Sequence, residues 1–175
     1  LIQPMKGTAP RSIDVLKDEE LKHALALNPK ERSENIMIVD LTRNDLSKIA
    51  KQGAVEVNEL CQVHSFPRVH QMISTISCQL KDQLSLGEIL KAVFPMRSIT
   101  GAPKIRAMEL IDAHEPFARN LVSGSVGYID PTGDFDFNVL IRSLFYDAKT
   151  KKLSYAVGSA ITALSYLEKE YEECL

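Results

Sequence analysis

The chain has 175 residues, of which 45% are hydrophobic and 25% charged, with a formal net charge of -2. That is enough for a domain with its own core, and the charge balance excludes a nucleic-acid polyanion as the default partner. No apolar run approaches the roughly 18–20 residues that cross a bilayer, which excludes a membrane-spanning helix.

Cys61, Cys78 and Cys174 are scattered and lack zinc-ligand spacing, so reduced thiols in a cytoplasmic setting are expected. The chain opens Leu-Ile-Gln-Pro, without an initiator Met and without the charged and apolar stretches of a signal peptide. Leu175 closes the last helix with no stop signal. These ends predict a fragment of a longer protein.

In chain order, the first expected element is a helix over 12–28, with Leu16, Leu21, Ala24 and Leu25 at helical spacing. Pro29 marks a break, and a second helix begins near Lys30. Within it, Ile36-Met37-Ile38-Val39 can also pass for a buried strand. Val39, Thr42, Leu46 and Ile49 continue in three- and four-residue steps, which favours helix.

Segments 55–63 and 69–80 read as strands. Segment 85–94 reads as a short helix, and 102–113 as a longer one with Pro103 near its first turn, where a missing N–H costs nothing. Strands are expected at 122–129, 135–146 and 153–160, and a last helix from Ser165. Pro131-Thr132-Gly133-Asp134 is a turn in which Pro fixes φ and Gly permits positive φ. Antiparallel strand groups with helices between them give an α+β class, not a doubly wound parallel sheet. No repeat, low-complexity tract or linker cuts the chain in two.

Four segments carry chemistry. In Pro4-Met5-Lys6-Gly7-Thr8, the glycine lets backbone approach a ligand closely. A lysine there can act as a nucleophile if burial or a cationic neighbour activates it, or can be a solvated residue near a terminus. Glu31 and Glu34 lie one helical turn apart on one face, and Glu170 and Glu173 repeat the spacing in the last helix. Two such pairs can hold one hard divalent cation such as Mg2+, or be ordinary solvated faces. Arg142 interrupts the apolar run Asn138–Phe145. A guanidinium buried in a strand needs an anion, either a protein carboxylate or one on a substrate.

Softer features complete the list. Ser98–Lys104 is a polar turn whose N–H groups and Thr100 hydroxyl can bind an anion or simply cap a helix. Ser123–Tyr128 and Gly158-Ser159-Ala160 allow close backbone approach or tight sheet packing. His70 lies on a strand, as a satisfied core or edge histidine or as a catalyst.

The ordered motifs PMKGTAPR, ENIMIVDLTRNDL, FPMRSITGAPKIRAMELID, GSVGYID, FNVLIRSL and EYEE resemble the chorismate-binding enzymes over nearly the whole chain. That family includes anthranilate, aminodeoxychorismate, isochorismate and salicylate synthases. The resemblance implies two packed antiparallel sheets with outer helices. It makes residues 1–175 the carboxyl-terminal part of one catalytic domain, with the amino-terminal half and its general-acid Glu lying upstream.

By motif position it puts the Mg2+ ligands on Glu31, Glu34, Glu170 and Glu173. The arginine that contacts a chorismate carboxylate falls on Arg142, and further substrate contacts fall on Thr100, Tyr128, Gly158 and His70. Lys6 sorts the chain towards the aminodeoxychorismate branch, whose motif reads PIKGT or PMKGT, and away from anthranilate synthases, whose motif usually reads PIAGT. That branch uses the lysine as a covalent nucleophile and takes ammonia from a glutamine amidotransferase (glutaminase) partner. Isochorismate and salicylate synthases carry a lysine that activates water, in usually different surroundings. A non-catalytic chorismate-binding remnant is the alternative outside enzymology, and the chain alone is expected to be inactive or poorly folded. One departure from the family pattern is Leu164, where Asp is common.

Overall fold

The computed structural model describes residues 1–159, 161 and 165–174, the side chain of Glu173 excepted. The chain forms two compact units, Leu1–His114 and Glu115–Leu175, with no Pro/Gly/Ser-rich linker to mark the boundary.

The first unit begins with strand β1 (Met5–Pro10), followed by helices α1 (Val15–Leu27) and α2 (Pro29–Ser47). Asp14 caps α1 by accepting the Leu16 and Lys17 N–H groups. Asn28 caps α2 in the same way, and Pro29 occupies the first turn, where proline is pre-organised for helix. This start signal decides the ambiguity at Ile36–Val39, which is helical as the three- and four-residue spacing predicts.

A long hairpin follows, β2 (Ala50–Ser65) and β3 (Val69–Leu80), whose expected position at 69–80 is met. The sheet order is β1-β3-β2, antiparallel throughout. Helices α3 (Leu86–Val93) and α4 (Lys104–His114) close the unit, with a 3-10 turn at Arg97–Ile99 between them. A capping box of Ser85 and Glu88 starts α3.

Val39, Leu46, Ile49 and Ile76 form one buried cluster, against which Ile89 and Val93 of α3 pack. Leu25, Cys61 and Met72 form a second, with Ala9 and Val63 beside it. Each fully buried aliphatic side chain of this kind contributes about 2 kcal/mol. Both clusters lie where α1 and α2 cover the sheet, and that cover fixes the face on which β1 meets α2.

His70 is fully buried in β3. Its Nε2 lies 3.1 Å from Asp18 Oδ1 and its Nδ1 lies 2.9 Å from the Ser65 hydroxyl. With Nε2 protonated, the ring donates to Asp18 and accepts from Ser65. Of the two readings that the sequence left open, this is the satisfied core histidine, and in this arrangement both ring nitrogens are engaged within the protein.

Asp18 also accepts from Arg11 Nε and from the Ser12 N–H, so one carboxylate ties α1 to β3 and to the segment that follows β1. The Arg11 guanidinium, then the Ser12 N–H and His70, hold its pKa well below the usual carboxylate range. A depressed carboxylate stabilises the fold above the unfolded-state pKa, near 4, and that contribution fades as pH falls towards the folded value. Asp18→Asn is therefore expected to lower the melting temperature at pH 7, with the gap to wild type narrowing as melts are repeated from pH 6 down to pH 3. A gap independent of pH contradicts the assignment.

The second unit holds the hairpin β4 (Ser125–Ile129) and β5 (Phe135–Val139), the short pair β6 (Phe145–Asp147) and β7 (Lys152–Ser154), and helix α5 (Leu167–Glu173). The turn between β4 and β5 is the expected one. The Gly133 N–H donates to the Asp130 carbonyl, Gly133 has φ +93°, and the Asp130 carboxylate accepts the Thr132 and Asp134 N–H groups.

Three strand expectations need correction. The strand foreseen at 122–129 starts at Ser125. The one at 135–146 is two strands, and the one at 153–160 ends at Ser154. A strand continues only where a neighbour offers N–H and C=O groups. Pairing with β4 stops at Val139, the Leu140 backbone bonds extend it by one residue, and the chain then turns through Arg142 at φ +51°. Ala160 and Leu164 lie outside the described residues.

Candidate active site

The chemistry-bearing residues of the first unit meet at β1 and α2. Met5 pairs with Ile73 and Thr8 with Gln71, so Lys6 and Gly7 together oppose Met72. One extra residue in β1 makes this a β-bulge. In a regular strand, residues three apart face opposite sides. Here Lys6 and Ala9 share the helix-covered side: Lys6 Nζ lies 3.5 Å from Glu34 Oε2, and Ala9 packs beside Leu25. The bulge thus aims the lysine at α2.

Gly7 makes the bulge possible. Its φ is +90°, and an added Cβ would lie 3.2 Å from Glu31 Cβ and Oε2 and 3.3 Å from Leu25 Cδ1. Gly7→Ala is expected to destabilise by about 2 kcal/mol through backbone strain at positive φ. It should also displace Glu31. Urea unfolding at pH 7 checks this, and an alanine variant as stable as wild type contradicts it.

Lys6, Glu31 and Glu34, three of the sequence-predicted residues, are therefore brought together. The Lys6 and Glu34 side chains are 28% and 16% exposed, sheltered yet reachable. Lys30 Nζ stands 3.9 Å from the other oxygen of Glu34.

Beneath this group is a polar network that sequence reasoning missed. Asn35, fully buried, directs Nδ2 at the Lys6 and Met72 carbonyls, at 3.4 and 3.5 Å. Its Oδ1 accepts from the Ser74 hydroxyl. The signal was available: Asn35 is a polar residue in register with Ile38, Val39 and Thr42 on the buried side of α2.

Thr100 follows the 3-10 turn, and its hydroxyl donates to the Met96 carbonyl at 3.1 Å. The segment that carries it is anchored by Arg97, which pairs with Asp45 of α2 at 2.9 Å. Asp45 is buried and also meets Lys48 at 2.7 Å and Lys104 at 3.8 Å. Burial alone would raise its pKa, but bonds from Arg97 and Lys48 and the Lys104 charge outweigh it, so the net shift is downward.

In the second unit, Glu170 is buried on α5, and the Ser159 hydroxyl donates to its Oε2. The Glu173 side chain lies outside the described residues. Tyr128 stands on β4, 65% exposed. Gly158 is exposed and outside any strand, and an added Cβ there would meet nothing within 4 Å, so neither a strand position nor tight sheet packing applies. The expectation of a buried Arg142 is corrected too. It is exposed at φ +51° between β5 and β6, where the backbone leaves the pleat.

The fit to a metal rests on donor chemistry. Glu31, Glu34 and Glu170 offer hard carboxylate oxygens, the type that suits Mg2+. Among the described residues, no three His, Cys, Asp or Glu side chains stand together so as to hold a metal ion.

This lysine-bearing bulge beside an acidic helix lies within a chain matched from residue 1 to 175 by the family described as chorismate binding enzyme. The chain belongs to that family. Component 1 of aminodeoxychorismate synthase from Escherichia coli is 46% identical over 171 residues, covering 98% of this chain and 37% of that protein. The chloroplastic aminodeoxychorismate synthase of Arabidopsis thaliana is 43% identical over 99% of this chain and 19% of its own length. The chain thus spans well under half of these relatives. Among solved structures, anthranilate synthase component I from Streptococcus pneumoniae matches with a TM-score of 0.83 and 30% identity, over 97% of this chain and 40% of that one. The menaquinone-specific isochorismate synthase of Escherichia coli shares the fold at a TM-score of 0.79 and 23% identity, over 98% of this chain and 39% of that one.

Proposed function

We propose that this chain is the lysine-bearing part of an aminodeoxychorismate synthase component I, which converts chorismate and ammonia to 4-amino-4-deoxychorismate in p-aminobenzoate and folate synthesis. The observation that carries the reading is Lys6, held on a glycine-dependent bulge and turned towards Glu34. Identity to aminodeoxychorismate synthases over nearly the whole chain supports it.

In this reading the Lys6 amine, once deprotonated, bonds to a ring carbon of chorismate. The ring double bonds shift, the C4–O bond breaks, and the hydroxyl leaves as water after taking a proton from an upstream acid. Ammonia then bonds at C4 while the bond to Nζ breaks, returning the amine to Lys6. Ammonia comes from a glutaminase subunit or domain.

Glu31, Glu34, Glu170 and Glu173 would hold Mg2+, which supplies Lewis-acid neutralisation of the substrate's ring carboxylate. Arg142, exposed and without an ion-pair partner among the described residues, supplies a guanidinium for a carboxylate of the substrate. Thr100, Tyr128 and Gly158 are further contacts carried over by motif. A reducing, cytoplasm-like compartment accords with three free cysteines.

The test is product analysis of the full-length protein with chorismate, Mg2+ and ammonium. Nitrogen at C4 supports the reading. Anthranilate, isochorismate or salicylate would move the chain to another branch of the family, and binding without turnover would leave a chorismate-binding remnant.

A further inference from the structure

A β-bulge breaks the regular ladder, and the carbonyls it leaves unpaired must find other donors. At Lys6–Gly7 those donors are side chains that approach from both faces of the sheet. From the helix side, Asn35 Nδ2 reaches the Lys6 carbonyl. From the opposite side, Gln71 Nε2 donates to the Gly7 carbonyl at 2.9 Å, and Gln71 Oε1 accepts from the Thr8 hydroxyl at 3.1 Å.

Gln71 is the β3 partner of Thr8 and the neighbour of His70, but the two side chains have opposite fates. His70 is buried against Asp18, while Gln71 is only half-buried. A residue that served packing alone would not need both ends of an amide spent on Gly7 and Thr8.

We infer that Gln71 is a positioning residue for Lys6: its amide locks the register of the bulge and so holds the lysine amine on the α2 side. The inference rests on the reading of Lys6 as the reacting group. Without the clamp, the bulge can slide along β3, and Lys6 would spend time away from Glu34.

The test uses the full-length protein with Gln71→Met, which keeps the length but removes both bonds, and Gln71→Glu, which keeps only the acceptor for Thr8. Thr8→Ala removes only the hydroxyl, and Thr8→Ser retains it. Two quantities are read: kcat and KM for chorismate with ammonium, and the acetylation rate of Lys6 relative to Lys30 by peptide mass spectrometry without substrate.

Gln71→Met is expected to lower kcat about tenfold, as small misplacements of a reacting group do, with KM within about twofold. Relative acetylation of Lys6 should rise. Gln71→Glu follows in the same direction and carries the test if Gln71→Met melts early. Thr8→Ala shows a smaller shift, which Thr8→Ser restores.

Wild-type kcat together with wild-type Lys6 acetylation in both Gln71 variants overturns the inference. So does a fall in kcat with unchanged acetylation, because the effect would then not run through Lys6. If acetylation shifts while Lys6→Ala keeps full turnover, the positioning role stands and the nucleophile reading fails.

Discussion

Lys6→Ala in the full-length protein is expected to lower kcat for the 4-amino product by about three orders of magnitude or more, the scale seen when a covalent nucleophile is removed. Chorismate binding should change little, because Lys6 sits at the edge of the acidic group, where its ion pair among the described residues is with Glu34. Lys6 lies outside both buried hydrophobic clusters, so the variant should melt close to wild type. Lys6→Arg is expected to be equally inactive, since a guanidinium keeps the charge but is always protonated. Steady-state kinetics with ammonium as nitrogen donor check both variants. Residual activity within tenfold of wild type in Lys6→Ala would remove the covalent role.

The second large effect lies away from the reacting group. Asp45→Ala is expected to destabilise the first unit by about 3 kcal/mol, the scale of breaking a buried ion pair by removing one partner. The change leaves Arg97 and Lys104, both largely buried, facing each other without their shared carboxylate. The Asp45 pKa is depressed in the fold, so its contribution is complete above about pH 4 and is lost as acid titrates it. Denaturant unfolding at pH 7 checks the size, and repeating it at about pH 3, below the unfolded-state pKa, checks the sign. Thr100 should also loosen, because Arg97 ties its segment to α2. A loss below about 1 kcal/mol would mean that the pair is solvent-screened.

The sequence exposed different parts of this structure to different degrees. Helix starts were legible because they rest on local chemistry: Asn28 and Pro29 for α2, Ser85 and Glu88 for α3. Strand β3 was legible through its apolar run. The ends of β5 and β7 were not, because a strand's length depends on the neighbour beside it, and Arg142 at positive φ has no local signature.

For the site, the pairing of Glu31 with Glu34 followed from helical periodicity. The approach of Lys6 to Glu34 did not, because a one-residue bulge decides which face Lys6 takes. Asn35 left a trace in its register with the buried side of α2, but Gln71 and Asp45 were hidden. Each acts through a partner distant in sequence, and nothing local distinguishes a polar residue that clamps backbone from one that meets water.

The most direct measurement is peptide mass spectrometry of the full-length protein after incubation with chorismate and Mg2+ in the absence of any ammonia source. Without ammonia the second displacement cannot occur, so the peptide containing Lys6 is predicted to gain the mass of chorismate less one water. That added mass should disappear when ammonium is supplied, and a 4-amino product should form. An unmodified Lys6 peptide, followed by normal 4-amino product on adding ammonium, would contradict the account.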